Sequence, residues 1–134
     1  MKQLLLFSII LLLLSACKKD NAAAVRNQIT GSWEYVTFSG YPFNGVRLPA
    51  GNGRIIVIGK DGSFERFSHD TLIFKGRYSL KERKDCYGDD KQVFFTTTDS
   101  SFVIDDYVTV DNGQLFFNSS NCLQDGGSSI WRKL

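Results

Sequence analysis

The stretch from Val108 to Phe117 reads VTVDNGQLFF, and it decides the fold class of the chain. Alternating apolar side chains stand on both sides of Asn112-Gly113, a dipeptide that strongly predicts a two-residue β-hairpin turn. Such a turn places Val110 opposite Leu115. It also places Val108 opposite Phe117, so that all four side chains share one face of the sheet. The stretch therefore predicts one antiparallel strand pair with an apolar inner face.

The same alternation runs through the chain after residue 30, with turn signals at intervals of about 8–12 residues. Asp61-Gly62 marks a second tight hairpin. The pattern predicts eight strands, over residues 32–39, 53–60, 63–69, 72–81, 91–98, 101–110, 114–119 and 128–133. Eight antiparallel strands in sequence order predict a closed up-and-down barrel, because closure removes exposed strand edges. We expect an all-β fold, preceded by a short helix over Ala22–Arg26.

The first seventeen residues have the layout of an export signal. Lys2 precedes an apolar run from Leu4 to Leu14, which is too short to span a bilayer. The following Leu14-Ser15-Ala16-Cys17 resembles a bacterial lipobox, which implies cleavage before Cys17 and acylation of its thiol. An ordinary signal peptide with a chance cysteine is the alternative. We expect a signal peptide over residues 1–16, a lipidated cysteine and tether over 17–28, and one β-barrel domain over 29–134.

The residues after Cys17 and the net charge of the chain indicate a membrane as a partner and give no support for nucleic acid. Lys18-Lys19 after the cysteine favours the outer membrane of the cell envelope, by resemblance to known lipoprotein sorting rules, and two or three acyl chains would anchor the protein there. The sequence has 16 basic and 14 acidic residues. Loss of Lys2 with the signal leaves 15 basic against 14 acidic residues, a formal charge of +1. A near-neutral surface gives no basis for nucleic-acid binding, which needs a basic stripe.

Cys86 and Cys122 are the two cysteines outside the export signal. In an oxidising exported compartment, such a pair predicts a disulfide. In a strict eight-strand meander, however, the two loops that hold them lie at opposite ends of the barrel, and a disulfide needs Cα atoms within about 7 Å. Either the bridge is absent, or the loop with Cys86 folds back along the wall, or the strand count is wrong by one.

Four short segments resemble motifs of bacterial lipocalin-like lipoproteins. They are Ile29-Thr30-Gly31-Ser32-Trp33, Lys60-Asp61-Gly62-Ser63-Phe64, Gly76-Arg77-Tyr78-Ser79-Leu80, and Asn121 to Gly126 together with Trp131-Arg132. The resemblance spans residues 29–134 and implies a lipocalin-like eight-stranded barrel. It also implies a structural contact at one end of the barrel, in which Arg132 or Lys133 from the last strand stacks on the ring of Trp33.

The residues that carry chemistry do not form a recognisable catalytic or metal-binding pattern. His69 is the only histidine, and the serines lack an ordered nucleophile motif. A zinc site built from Cys86, Cys122 and His69 would be one ligand short. We therefore expect no enzyme, no cofactor and no metal.

Aromatic side chains dominate the predicted interior. On residues 72–81, the alternation places Leu72, Phe74, Gly76, Tyr78 and Leu80 on one face. The candidates for ligand contact are Tyr41, Phe43, Phe67, Phe74, Tyr78, Phe95, Phe102, Asp106 and Phe117. Eight strands enclose an interior that side chains can fill or that holds one small ligand, and the sequence leaves both open. Asp106 is either a polar anchor in an apolar pocket or, as we favour here, a carboxylate in water near the mouth.

Residues 40–52 form the longest predicted loop, and its apolar side chains predict contact with a partner, a cover over the mouth or packing onto the barrel.

The favoured function is a lipid-anchored binding protein for a small apolar or amphipathic ligand. The alternative is a scaffold of the outer membrane, in which a filled barrel presents this loop to another envelope protein.

Overall fold

The computed structural model describes residues 21–40, 45–86, 89–98, 101–120 and 126–134. Within these ranges, helix α1 (Asn21–Ile29) precedes eight strands. They are β1 (Gly31–Gly40), β2 (Arg54–Ile58), β3 (Ser63–Ser68), β4 (Thr71–Lys84), β5 (Lys91–Thr97), β6 (Asp105–Asp111), β7 (Gln114–Asn118) and β8 (Gly127–Lys133). Consecutive strands pair antiparallel, and β8 pairs with β1 to close the barrel. The predicted fold class is confirmed.

The predicted export signal, Cys17 and the first part of the tether lie outside the described residues. So do Tyr41, Phe43 and Cys122. In the ranges that the structure describes, no helix is long and apolar enough to cross a membrane.

The β6–β7 turn follows the predicted register. Val110 pairs with Leu115 and Val108 pairs with Phe117. Asn112 and Gly113 both have positive φ, at 48° and 73°, as a type I′ hairpin requires. The β3–β4 turn has the same geometry without a glycine, because His69 and Asp70 adopt φ values of 49° and 62°. His69 was predicted as the last residue of a strand and is instead the first residue of this turn.

The two ends of the barrel differ. We call the end with α1 and the β2–β3, β4–β5 and β6–β7 connections the lower end, and the other the upper end. At the lower end, the indole nitrogen of Trp33 donates a hydrogen bond to the Ile29 carbonyl at 2.7 Å. Ile29, Trp33 and Leu115 are almost fully buried there, within one apolar cluster. The lower half of the barrel is therefore filled by side chains.

Lys133, and not Arg132, stacks on Trp33. Its Nζ atom lies 4.3 Å from the ring centroid and donates a hydrogen bond to the Thr30 carbonyl at 2.7 Å. The register explains the difference, since β1 and β8 pair Trp33 with Lys133. Gly31 makes the contact possible, because its φ is +128° and a Cβ there would come within 2.9 Å of the lysine Nζ. Of the two residues predicted for this contact, Lys133 makes it and Arg132 does not.

A β-bulge in β4 moves Leu72 to the outside. Arg66 pairs with Phe74, but Phe67 pairs with Leu72, so one extra residue stands on β4 between the two pairs. Leu72 is 47% exposed, and it does not share the inner face with Phe74 as the strict alternation predicted. Phe67 also faces outward, where it lines an open groove on the outer wall with Ile55.

The described part of the long β1–β2 connection packs onto the barrel. The Leu48 amide donates a hydrogen bond to the Val36 carbonyl at 2.7 Å, and the Gly45 amide donates one to Phe38 at 2.8 Å. Val36 is fully buried beneath this segment. Of the three predicted roles for the loop, residues 45–52 therefore adopt packing onto the wall.

The start of the β4–β5 connection contacts the chain beyond the upper end of β7. Cys86 is disulfide-bonded, and the predicted pairing with Cys122 lies outside the described residues. Ser120, beyond the upper end of β7, donates a hydrogen bond from its hydroxyl to the Asp85 carboxylate at 2.6 Å. The guanidinium of Arg83 lies 3.7 Å from the ring centroid of Phe94, which is 1% exposed although it faces outward. The contact between Ser120 and Asp85 is the kind of approach that the second of the three alternatives requires, and the pairing of Cys86 with Cys122 stays a prediction.

Candidate ligand-binding cavity

The upper half of the barrel holds a cavity of about 300 Å³ that opens to solvent. Its lining consists of Tyr35, Arg54, Ile56, Phe64, Arg66, Phe102, Ile104, Asp106, Phe117, Ser129 and Trp131. Most of these side chains are aromatic or aliphatic, and four are polar. An apolar wall with a few polar groups is the usual composition of a small-molecule site.

The aromatic side chains form the floor of the cavity. Phe64 is fully buried and contacts Phe95 edge to face, with ring centroids 5.5 Å apart. Phe95 in turn stacks on Tyr78 at 4.6 Å and contacts Phe117 at 5.1 Å. Because these rings pack against one another, they close the barrel below the cavity and separate it from the filled lower half.

The upper half stays open because of the residues that β2, β3, β6 and β8 direct inward. These are Arg54, Arg66, Asp106 and Ser129, in the positions above the aromatic floor. Charged side chains keep their hydration better near a mouth than in a packed core, so they do not fill the space as leucine or phenylalanine would. The cavity therefore follows from the polar inward positions near the upper ends of the strands.

The predicted contact residues separate into four groups. Phe102, Asp106 and Phe117 line the cavity. Phe74, Tyr78 and Phe95 belong to the aromatic cluster around the floor and are not among the lining residues. Phe67 lies on the outer wall, so its prediction as an interior residue was wrong. Tyr41 and Phe43 lie outside the described residues.

The predicted alternation placed Gly76, which has no side chain, on the inner face of β4. It pairs with Phe64 in the β3–β4 register, and Phe64 packs against Phe74 at 5.8 Å and Phe102 at 6.2 Å. Gly76 is not among the residues that line the cavity. The open space thus lies above this pair.

Asp106 is half-buried in the wall of the cavity. Burial raises the pKa of its carboxyl group above the ordinary value of 3.8, and the neighbouring charge of Asp105 raises it further. Across the described ranges, no cation lies within ion-pair distance of Asp106. Asp106 therefore lies near the mouth, as the favoured expectation had it, and it also lines the cavity, as the alternative had it.

Asp105, on the outer face of the same strand, shows the opposite shift. Burial acts to raise its pKa, but hydrogen bonds from Arg83 at 2.7 Å and Thr96 at 2.8 Å stabilise the carboxylate more strongly. The net result is a pKa below 3.8. The pKa values of the two adjacent carboxyl groups of β6 therefore shift in opposite directions because, within the described ranges, only the outer one accepts hydrogen bonds from side chains.

Arg54 and Arg66 are the cationic side chains of the cavity. The Cζ atom of Arg54 lies 5.9 Å from the Tyr35 ring centroid, and that of Arg66 lies 5.0 Å from the Phe102 ring centroid. Both rings line the same cavity. These contacts hold the guanidinium groups over aromatic faces at the mouth.

Sequence reasoning missed most of the lining residues, including both arginines. A signal was present, because strict alternation on β3 places Arg66 on the same face as Phe64 and places Phe67 on the other. Ranking residues by hydrophobicity selected Phe67 instead. On β2, the same rule groups Arg54 with Ile56 and Ile58.

The remaining polar residues do not add a second site. His69 lies in the exposed β3–β4 turn, where its Nδ1 atom is 3.2 Å from the Ser68 hydroxyl. In the part of the chain that the structure describes, His, Cys, Asp and Glu side chains do not gather into a group that could hold a metal ion. Comparison with protein-family models, curated proteins and solved structures found no match to this chain.

The opposite shifts at Asp105 and Asp106 predict opposite pH profiles. The pKa of Asp106 is higher in the folded chain than its unfolded value, near 3.8, so the protonated carboxyl group stabilises the fold at pH values below 3.8. This stabilisation is lost as the pH rises through the folded pKa. We expect the Asp106→Asn variant to be more stable than the wild type near neutral pH, with the difference in Tm shrinking toward zero on acidification below 3.8. Thermal unfolding followed by circular dichroism from about pH 3 to 7 measures it.

Asp105→Asn is the matched control. The pKa of Asp105 is lower in the folded chain than in the unfolded chain, so its carboxylate stabilises the fold at pH values above the unfolded pKa, and this stabilisation is lost as the pH falls. The Asp105→Asn variant should therefore be less stable than the wild type near neutral pH. A difference in Tm between wild type and Asp106→Asn that does not change with pH would contradict the partial burial of Asp106 in the cavity wall.

Proposed function

We propose that this protein is a non-catalytic binding protein for a small ligand whose apolar part occupies the upper cavity. The observation that carries the proposal is the cavity itself, with its volume of about 300 Å³. An engineered apolar cavity of about 150 Å³ binds benzene, so twice that volume accommodates a ring with a short chain or a medium-length alkyl chain. The scaffold alternative assumed a filled barrel, and the cavity argues against that assumption.

We further propose that the protein acts as a lipid-anchored, lipocalin-like lipoprotein of the outer membrane. Support for this part comes from the sequence of Leu14-Ser15-Ala16-Cys17 and from the four motif-like segments. The contact between Lys133 and Trp33 at the lower end of the barrel is consistent with the lipocalin-like assignment. An upper cavity open to solvent suits the exchange of a ligand between the barrel and its surroundings.

Calorimetric titration with octan-1-ol tests the binding function on protein that begins at Lys18. The wild type should bind saturably with one site per chain. The Ser129→Phe variant fills the cavity and should lose binding, because Ser129 lines it. Thr109→Phe adds the same ring to an exposed position of β6 and should bind as the wild type does.

The outcome depends on folded variants, so the Tm of each is measured first. Loss of binding in a folded Ser129→Phe variant, with binding kept in Thr109→Phe, supports the proposal. Failure of the wild type to bind octan-1-ol, or equal binding by all three proteins, would contradict it.

A further inference from the structure

The two arginines of the cavity lie close enough together to bind one group. On the paired strands β2 and β3, Arg66 stands opposite Ile56, and Arg54 stands two residues along β2 on the same inner face. Diagonal positions of this kind are about 7 Å apart, within reach of long side chains. One small group at the mouth can therefore contact both guanidinium groups.

Among the described residues, neither guanidinium forms an ion pair with a carboxylate. The ion pairs among the described residues are Lys75–Glu65, Arg83–Asp105, Lys84–Asp89 and Arg132–Glu34. The Cζ atoms of Arg54 and Arg66 lie over aromatic rings. In the described ranges no residue accepts a hydrogen bond from either guanidinium, so the N–H groups can donate to a ligand. Two cations with free donors therefore stand at one side of an otherwise largely apolar cavity.

Asp106, the acidic residue of the cavity, lies on the wall opposite Arg54 and Arg66. Asp106 belongs to β6, which is three strands from β3 and four from β2 in the closed ring of eight. With two fixed positive charges and one carboxylate, the lining has a net positive charge. This distribution favours a ligand whose head is an anion near β2 and β3.

From this arrangement we infer that the ligand is an amphipathic anion, with its anionic head held by Arg54 and Arg66 and its apolar body against Phe64, Phe117 and Trp131. The inference rests on the proposed binding function and specifies its ligand class. A planar carboxylate matches the paired donors of a guanidinium best. At about 30 Å³ per water-sized group, the volume suits a head and tail of about ten non-hydrogen atoms.

Three probes with the same chain length and different head groups separate the contribution of the head to the affinity from that of the tail. They are octanoate, octan-1-ol and octylammonium, each titrated calorimetrically at about neutral pH into the protein that begins at Lys18. We expect octanoate to bind at least about tenfold more tightly than octan-1-ol, and octylammonium to bind most weakly. The head then contributes through the arginines, and the tail through the apolar floor.

Substitutions of the arginines locate the head. Arg54→Met and Arg66→Met keep an apolar stem but remove the charge, and each should lower octanoate affinity about tenfold while changing octan-1-ol affinity less than about twofold. Lys81→Met removes the same charge from an exposed outer position of β4. It should leave the binding of all three probes unchanged.

The outcomes distinguish this inference from the proposed function. If octan-1-ol binds as tightly as octanoate, or octylammonium binds most tightly, the anionic ligand class is wrong and the binding function stands. Equal loss of octanoate affinity in Lys81→Met would also overturn the inference, because general surface charge would then explain the preference. Failure of the wild type to bind octan-1-ol would overturn the proposed function itself, because this probe tests the apolar part of the cavity without a charged head.

Discussion

Replacing Phe95 with alanine should lower the free energy of unfolding by about 3–5 kcal/mol, the largest effect we expect from one substitution. Phe95 is fully buried and contacts Tyr78, Phe64 and Phe117 through its ring. It therefore joins the floor of the cavity to the filled lower half. Its loss would open a void beneath the cavity that the closed sheet cannot collapse around.

Urea unfolding of wild type and Phe95→Ala measures this effect. Phe38→Ala is the matched control, since Phe38 is 38% exposed at the rim of the barrel and should cost less than about 2 kcal/mol. If both variants lost the same stability, the aromatic floor would not be the core of the barrel.

Replacing Arg132 with methionine should cost about 3 kcal/mol, because it leaves the Glu34 carboxylate buried without its cation. Glu34 is 2% exposed, and Arg132 Nε lies 3.2 Å from its Oε2 atom in an ionic contact that lacks hydrogen-bond alignment. The Gly51 and Gly53 amides also donate to the carboxylate, at 3.1 Å and 3.4 Å. These amides explain why the expected cost is at the lower end for a broken buried pair.

A second effect identifies the role of this ion pair. The Arg132 Nη2 atom donates a hydrogen bond to the Leu48 carbonyl at 2.7 Å, so Arg132 and Glu34 together hold residues 48–53 on the wall. In Arg132→Met, amide hydrogen exchange should accelerate at Gly51 and Gly53. The double variant Glu34→Gln/Arg132→Met should regain most of the lost stability, since no buried charge remains.

The exposed pair of Lys75 and Glu65, at 2.8 Å on the outer wall, gives the control. Lys75→Met should leave the urea midpoint unchanged, because exposed ion pairs contribute little. An Arg132→Met variant with wild-type stability and unchanged exchange would contradict a structural role for the buried pair.

The turns carried most of the fold information in the sequence. Asn112-Gly113 predicted a register that the structure has, because two residues with positive φ leave few other arrangements. The bulge at Leu72 left no such local signal, since no glycine or proline marks it. The β8 register, which brings Lys133 rather than Arg132 to Trp33, depends on how the first and last strands meet and is set only by closure of the barrel.

The cavity was only partly predictable. Asp106 and Phe117 were found because their strands alternate cleanly. Phe102 also lines the cavity, but it lies in the β5–β6 connection, because β6 begins at Asp105 and not at residue 101 as predicted. Whether the aromatic side chains fill the barrel or line a space depends on the tilt of eight strands and on the ring orientations, which no single strand contains. Arg54 and Arg66 were missed because charged residues were assumed to face outward, although a barrel mouth is where inward charges remain hydrated.

The most direct test of the central claim uses the two tryptophans of the chain. The Trp131 indole N–H, which donates to the Ser129 hydroxyl at 3.0 Å, belongs to the cavity wall. The Trp33 indole N–H donates to Ile29 at the filled lower end. In ¹H–¹⁵N spectra during titration with octan-1-ol, the indole signal of Trp131 should shift saturably while that of Trp33 stays in place. Two unmoved signals, or equal shifts of both, would contradict a ligand cavity in the upper half of the barrel.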